Sequence, residues 1–168
     1  MKDDTKMMID TFESSINIFT DSSFYYNKNI DTYRCNAGVI IVNGEERIIL
    51  KSVSKAYSAY NIDIAEIVAI FIGLEKFYRH IILEGEFVFD KRKKYHIQVF
   101  TDNANAKNSV EHVLGIKYTR HYPAKIESLV RYAMPDLKNI QKLLGCIENE
   151  IKFSIDFVYV PATCCWDL

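Results

Sequence analysis

The sequence predicts an α/β domain: a five-stranded mixed sheet flanked by helices. Three observations carry this expectation. Three apolar runs crowd the first third of the chain, an amphipathic stretch of about five helical turns follows, and two later apolar runs are reached through helical segments. Strands joined by tight turns pair antiparallel, while strands joined through helices pair parallel by right-handed crossovers. The first, fourth and fifth strands are therefore expected side by side and parallel, with helices covering the faces of that part. At 168 residues the chain is long enough to close one such structure over a real core.

Residues 1–14 read as a polar, flexible leader, and 15–168 as a single domain. Ile16 to Thr20 is a short apolar run halted by Asp21-Ser22-Ser23, which makes it a strand. Residues 34–42 form a second strand, and Asn43-Gly44 is a hairpin turn into a third from Arg47 to Ser54. Over 63–81 the period changes: Ile67, Ile70, Phe71, Leu74, Phe77, Tyr78 and Ile81 recur at helical spacing. Asp63 is the expected N-cap. Ala65, Ala69 and Gly73 form a small-residue stripe that lets this helix lie close on the sheet. Residues 84–94 are a charged loop, 95–101 a fourth strand, and Asn103 to His112 a second helix. No element is assigned over 115–133. Pro135-Asp136-Leu137 opens a helix running to about Glu150, since Pro suits the first turn and Asp complements the helix dipole. Phe153 to Val160 is the fifth strand, stopped by Pro161.

Composition narrows the function classes. A net charge of -1 carries no global basic signal, so nucleic-acid binding would need a local patch. The cysteines at 35, 146, 164 and 165 lack the spacing of a zinc knuckle and are expected to be reduced thiols of a cytoplasmic protein. No apolar signal region or membrane-length span occurs, and no glycine-rich phosphate loop is present. The run Lys91-Arg92-Lys93-Lys94 reads as a solvated loop, with phosphate contact as the alternative.

The chemistry lies in three acids. Phe19-Thr20-Asp21 and Phe100-Thr101-Asp102 each close a strand with a carboxylate. On parallel neighbours, both acids fall at the carboxyl edge of the sheet, where open α/β sheets keep their ligands. Asp is common at strand ends for turn chemistry alone; the matched pair is what points further. Glu66 shares its helix direction with Ile70, Gly73 and Phe77, so it faces the sheet, where an unpaired carboxylate is costly. Three carboxylates brought together repel one another unless a cation sits among them. Oxygen-only ligands suit Mg²⁺ or Mn²⁺. Two such ions about 4 Å apart can activate water and stabilise the leaving oxygen of a phosphodiester.

The segments INIFTDSS (16–23), DIAEIVAIFIGLE (63–75) and VFTDNANAKNSV (99–110) resemble the three successive acidic motifs of the type 1 ribonuclease H family. Pro135-Asp136-Leu137 and FVYVPA (157–162) resemble its late helix and fifth strand, so the resemblance spans about residues 16–162. It implies the ribonuclease H-like fold and an endonuclease that hydrolyses the RNA strand of RNA–DNA hybrids with two Mg²⁺ (or Mn²⁺) ions. Asp21, Glu66 and Asp102 would be catalytic metal ligands. Ser22, Ser23, Asn61 and Asn103 are candidate substrate contacts by proximity. The family continues with a His-containing loop and a helix bearing a fourth Asp. Here Thr163 stands where the His is expected, and Asp167 is the remaining candidate ligand, earlier than the family position. The histidines at 80, 96, 112 and 121 do not fill that place. The atypical C-terminus favours one alternative, a weak or inactive module that binds nucleic acid or protein; a DNase on the same fold is another.

Overall fold

The computed structural model describes residues 15–44, 48–85, 87–116 and 124–161. Strands β1 (Ser15–Asn27), β2 (Thr32–Asn43) and β3 (Ile48–Ala59) are followed by helix α1 (Ile62–Lys76), which continues as a π-helical segment over Phe77–Leu83. Strand β4 (Lys94–Thr101), helices α2 (Ala104–Leu114), α3 (Ala124–Tyr132) and α4 (Met134–Glu148), and strand β5 (Lys152–Tyr159) complete the order. The sheet runs β3-β2-β1-β4-β5. β1, β2 and β3 pair antiparallel, and β1, β4 and β5 pair parallel. The central parallel trio is the arrangement that right-handed crossovers demand.

Burial alternates along the central strands, as a half-covered sheet requires. Ile16, Ile18 and Thr20 of β1, Ala37, Val39 and Ile41 of β2, and Ile97 and Val99 of β4 are buried. Apart from Thr20, these residues join Ile67 and Ile70 of α1, Val110 of α2, Ile126 of α3 and Ile140 of α4 in one core. Each fully buried aliphatic contributes roughly 1.5–3 kcal/mol. All four helices therefore share one face. Helices were expected on the faces of the parallel part; among the described residues the second face carries none.

Helix α1 approaches β1 unusually closely. A Cβ on Gly73 would lie 2.7 Å from Thr20 Cγ2 and 3.0 Å from Ile18 Cγ2. Gly73 thus makes the close approach expected of the small-residue stripe.

Three boundaries differ from expectation. Asp21-Ser22-Ser23 does not stop β1, which stays paired with β2 through Asn27. The polar triplet keeps the alternation, because Ser22 is buried and hydrogen-bonded while Asp21 and Ser23 face out. The cap of α1 is Asn61, whose side chain accepts from Ile64 N–H at 2.8 Å; Asp63 lies in the first turn instead. β3 runs on past Ser54 to Ala59, which pairs with Tyr33 of β2, while residues 45–47 lie outside the described residues. The 115–133 stretch, to which the sequence assigns no element, contains α3, and Gly115, with φ of +66°, ends α2 in the left-handed conformation that suits glycine. Residues 1–14, Thr163 and Asp167 lie outside the described residues.

Candidate metal centre and active site

The two Phe-Thr-Asp repeats are in register. Phe19 pairs with Phe100 across the parallel strands, their rings stack with centroids 4.7 Å apart, and Thr20 Oγ1 donates to Phe100 O at 2.9 Å. The parallel pairing ends there, β4 stops at Thr101, and β1 runs on alone beside β2. Asp21 and Asp102 thus stand two residues beyond the last pair, where the sheet steps from five strands to three.

That step lets two sides of the sheet meet. Asp21 belongs to the uncovered face, since its neighbours Thr20 and Ser22 are the buried ones. Glu66 comes from α1, on the covered face, and is only 2% exposed. Beyond the end of β4 no strand separates them. One carboxylate oxygen from each of Asp21, Glu66 and Asp102 lies within 4.8 Å of the others.

The electrostatics of this arrangement are severe. Burial first, then Asp102 and Asp21, push Glu66 up to about 9, and a hydrogen bond to Asp102 favours its protonated form. Asp102 is also raised, by burial and then by Asp21. Glu66 Oε2 is buried with no hydrogen-bond partner. A buried acceptor left unpaired costs about 1–3 kcal/mol, and a hard cation among three carboxylates removes both that cost and the repulsion. The donor set fits a divalent ion of the Mg²⁺ or Mn²⁺ kind.

A hydroxyl pair braces the acids from behind. Tyr57 of β3 donates to Ala65 O at 2.6 Å, and its oxygen lies 2.5 Å from Ser22 Oγ. Ser22 adjoins Asp21 and Ala65 adjoins Glu66, so one phenol ties the backbones that carry both acids together. Burial holds the Tyr57 phenol well above its ordinary pKa, so it stays a donor. Nothing in the sequence singled out Tyr57; it became visible only when β3 was placed beside α1.

The other expected contacts are distributed as follows. Asn103 caps α2, accepting from Ala106 N–H at 2.8 Å, and its amide donates to Asp63 at 3.1 Å. It therefore locks the start of α2, just past Asp102, to the first turn of α1. Asn61 is an exposed helix cap and Ser23 an exposed position on the Asp21 face. The basic run 91–94 enters β4 at the end opposite Asp102, and Arg92 pairs with Asp90 at 3.3 Å. His96 sits against Ser154 and Asp156, and His80 against Glu84, away from the acids.

A mixed sheet with three carboxylates gathered at its carboxyl edge makes this an α/β protein with a candidate divalent-cation site. No family model matches the sequence, and no curated protein matches it. Among solved structures, the N-terminal RNase H domain of rv2228c from Mycobacterium tuberculosis, solved as a fusion with maltose-binding protein, is similar over 88% of this chain and 87% of that one. The TM-score is 0.55 at 14% identity. LC9-RNase H1, a type 1 RNase H with the type 2 active-site motif, aligns over 90% of this chain and 64% of its own length, with TM-score 0.46 and 11% identity. The chain has the ribonuclease H-like fold. Among the described residues, no helix is long and apolar enough to cross a membrane.

Proposed function

We propose that this protein is a divalent-cation-dependent endonuclease that hydrolyses the RNA strand of RNA–DNA hybrids. The observation that carries the proposal is Glu66: a buried carboxylate, unpaired at one oxygen and held against two other acids on a fold of this class. A structural role gives no reason to bury a third acid there.

Asp21, Glu66 and Asp102 would hold the cations, two Mg²⁺ or Mn²⁺ ions in the full site. When bound, such ions activate water and stabilise the leaving oxygen of a phosphodiester. The chain's own part is to supply three oxygens at one point and to give up the proton that Glu66 otherwise retains. Thr20 and Tyr57 keep the acids from drifting apart. Ser23 and Asn103 are the candidates for contact with a 2′-hydroxyl, the group that distinguishes RNA from DNA. Ser22 is turned toward Tyr57 and acts through Asp21.

The test is cleavage of an end-labelled RNA strand in an RNA–DNA duplex with Mg²⁺ or Mn²⁺, beside Asp102→Asn. We expect cutting by the parent and a loss of at least about 100-fold in the variant. Equal activity of the two proteins would refute the assignment. Cutting of DNA duplex in preference to hybrid would keep the nuclease and overturn its substrate.

A further inference from the structure

The hairpin of β1 and β2 continues six residues past Asp21, and its continuation has a character of its own. Side chains alternate along a strand, and antiparallel partners share a face. The face that carries Asp21 therefore also carries Ser23 and Tyr25 of β1, with Asn36 and Arg34 of β2 opposite them. All five are exposed. Between the acid and Tyr25 this face presents only small or polar side chains, and Asn36 donates across to Ser54 of β3 at 2.8 Å.

The two ends of the strip differ. Opposite Asp21 stands Gly38, where an added Cβ would meet nothing within 4 Å. The space over it belongs to a cavity of about 530 Å³ that runs from Ser54 and Gly38 past Asp21 to Phe19 and Ile40, on the side away from Tyr25. At the far end Tyr25 is 70% exposed and sits directly across from Arg34. No carboxylate among the described residues pairs with Arg34. Four strand residues set Tyr25 about 13 Å from Asp21, a reach of about four stacked nucleotides.

A polyanion approaching three carboxylates is repelled everywhere except where cations neutralise them. A guanidinium displaced along the same strip supplies the attraction the acids lack. An exposed phenol beside it offers a stacking surface, and a base can use that surface only if it is unpaired or at a helix end. We propose that this strip is a subsite for a single-stranded stretch of nucleic acid flanking the bond to be cut. Tyr25 stacks on an unpaired base, Arg34 holds a phosphate, and the bare floor at Gly38 lets the backbone pass to the carboxylates. The inference rests on the nuclease reading for its direction toward Asp21, but its binding test does not require cleavage.

The experiment is fluorescence anisotropy with the full chain and labelled RNA–DNA duplexes, blunt or bearing an unpaired extension at either strand end, in chelator to prevent cutting. We expect at least one extended duplex to bind about tenfold tighter than the blunt one. Tyr25→Ala should erase most of that difference and Tyr25→Phe should retain it. Arg34→Ala should weaken binding and make its salt dependence shallower by about one phosphate contact. Both positions are exposed, and unchanged thermal melts would confirm that the variants fold. Equal binding of blunt and extended duplexes, or a Tyr25→Ala protein that binds like its parent, overturns the inference. Hybrid cleavage without any preference for an extension refutes this subsite and leaves the nuclease standing. An extension preference in a protein that cuts nothing does the reverse.

Discussion

Replacing Glu66 with Gln keeps the shape of the side chain and removes the charge that the site cannot hold without a cation. The magnitude follows from the pKa that burial, Asp102 and Asp21 impose, about 9 against an ordinary 4.5. A carboxyl whose folded pKa is raised contributes its full share of stability only below about 4.5, where both states are protonated. That share is lost as pH rises toward 9. At pH 7 the unfolded chain has ionised Glu66 and the folded chain has not, a gap of about 2.5 pH units, or roughly 3 kcal/mol. In chelator at pH 7, Glu66→Gln should therefore be the more stable protein, melting roughly 6–12 °C above its parent. At pH 4.5 the difference should close. Asp102 is raised in both proteins and largely cancels from the comparison. Mg²⁺ or Mn²⁺ should then reverse the order, because a cation that binds only the folded parent stabilises it by mass action. The assay is thermal or urea unfolding at pH 4.5 and 7, with chelator and with metal. Parallel pH profiles for the two proteins, or equal stabilisation of both by metal, would refute the account of Glu66.

Tyr57→Phe removes the hydroxyl shared by Ser22 and Ala65 and should weaken Mn²⁺ binding about tenfold, with the fold retained. Titration calorimetry checks it, and an unchanged affinity would show that the brace does not position the acids. Gly73→Ala drives a methyl group to within 2.7 Å of Thr20 Cγ2, and Thr20 is held by its bond to Phe100. Helix α1 must move off β1, at a cost of about 1–3 kcal/mol visible in the urea midpoint; no change would contradict the close approach.

Much of this molecule was legible before any coordinate. Periodicity located α1, because Ile67, Ile70, Leu74 and Phe77 bury at helical spacing on the side that also carries Glu66 and Gly73. The repeated Phe-Thr-Asp located the acids, and the order of strands and helices led to the central parallel trio. These features are local, or follow from chain connectivity, and pattern rules read both directly.

What the tertiary structure decided depends on which residues face each other across elements. Asp21-Ser22-Ser23 reads as a strand end because polar triplets usually make turns. Pairing with β2 and the buried Ser22–Tyr57 contact carry β1 onward instead. Asn61 and Asp63 are both good caps by type, and only backbone geometry chooses between them. Tyr57 has no sequence signature at all, since its role requires β3 to pass the first turn of α1. The meeting of Asp21 with Glu66 from the other side of the sheet depends on β4 ending where β1 does not. The sequence by itself determined which groups are acidic and which elements carry them. Their convergence within 4.8 Å was decided by strand lengths and registers, because non-local pairing and packing settle those quantities and no short window of residues contains them.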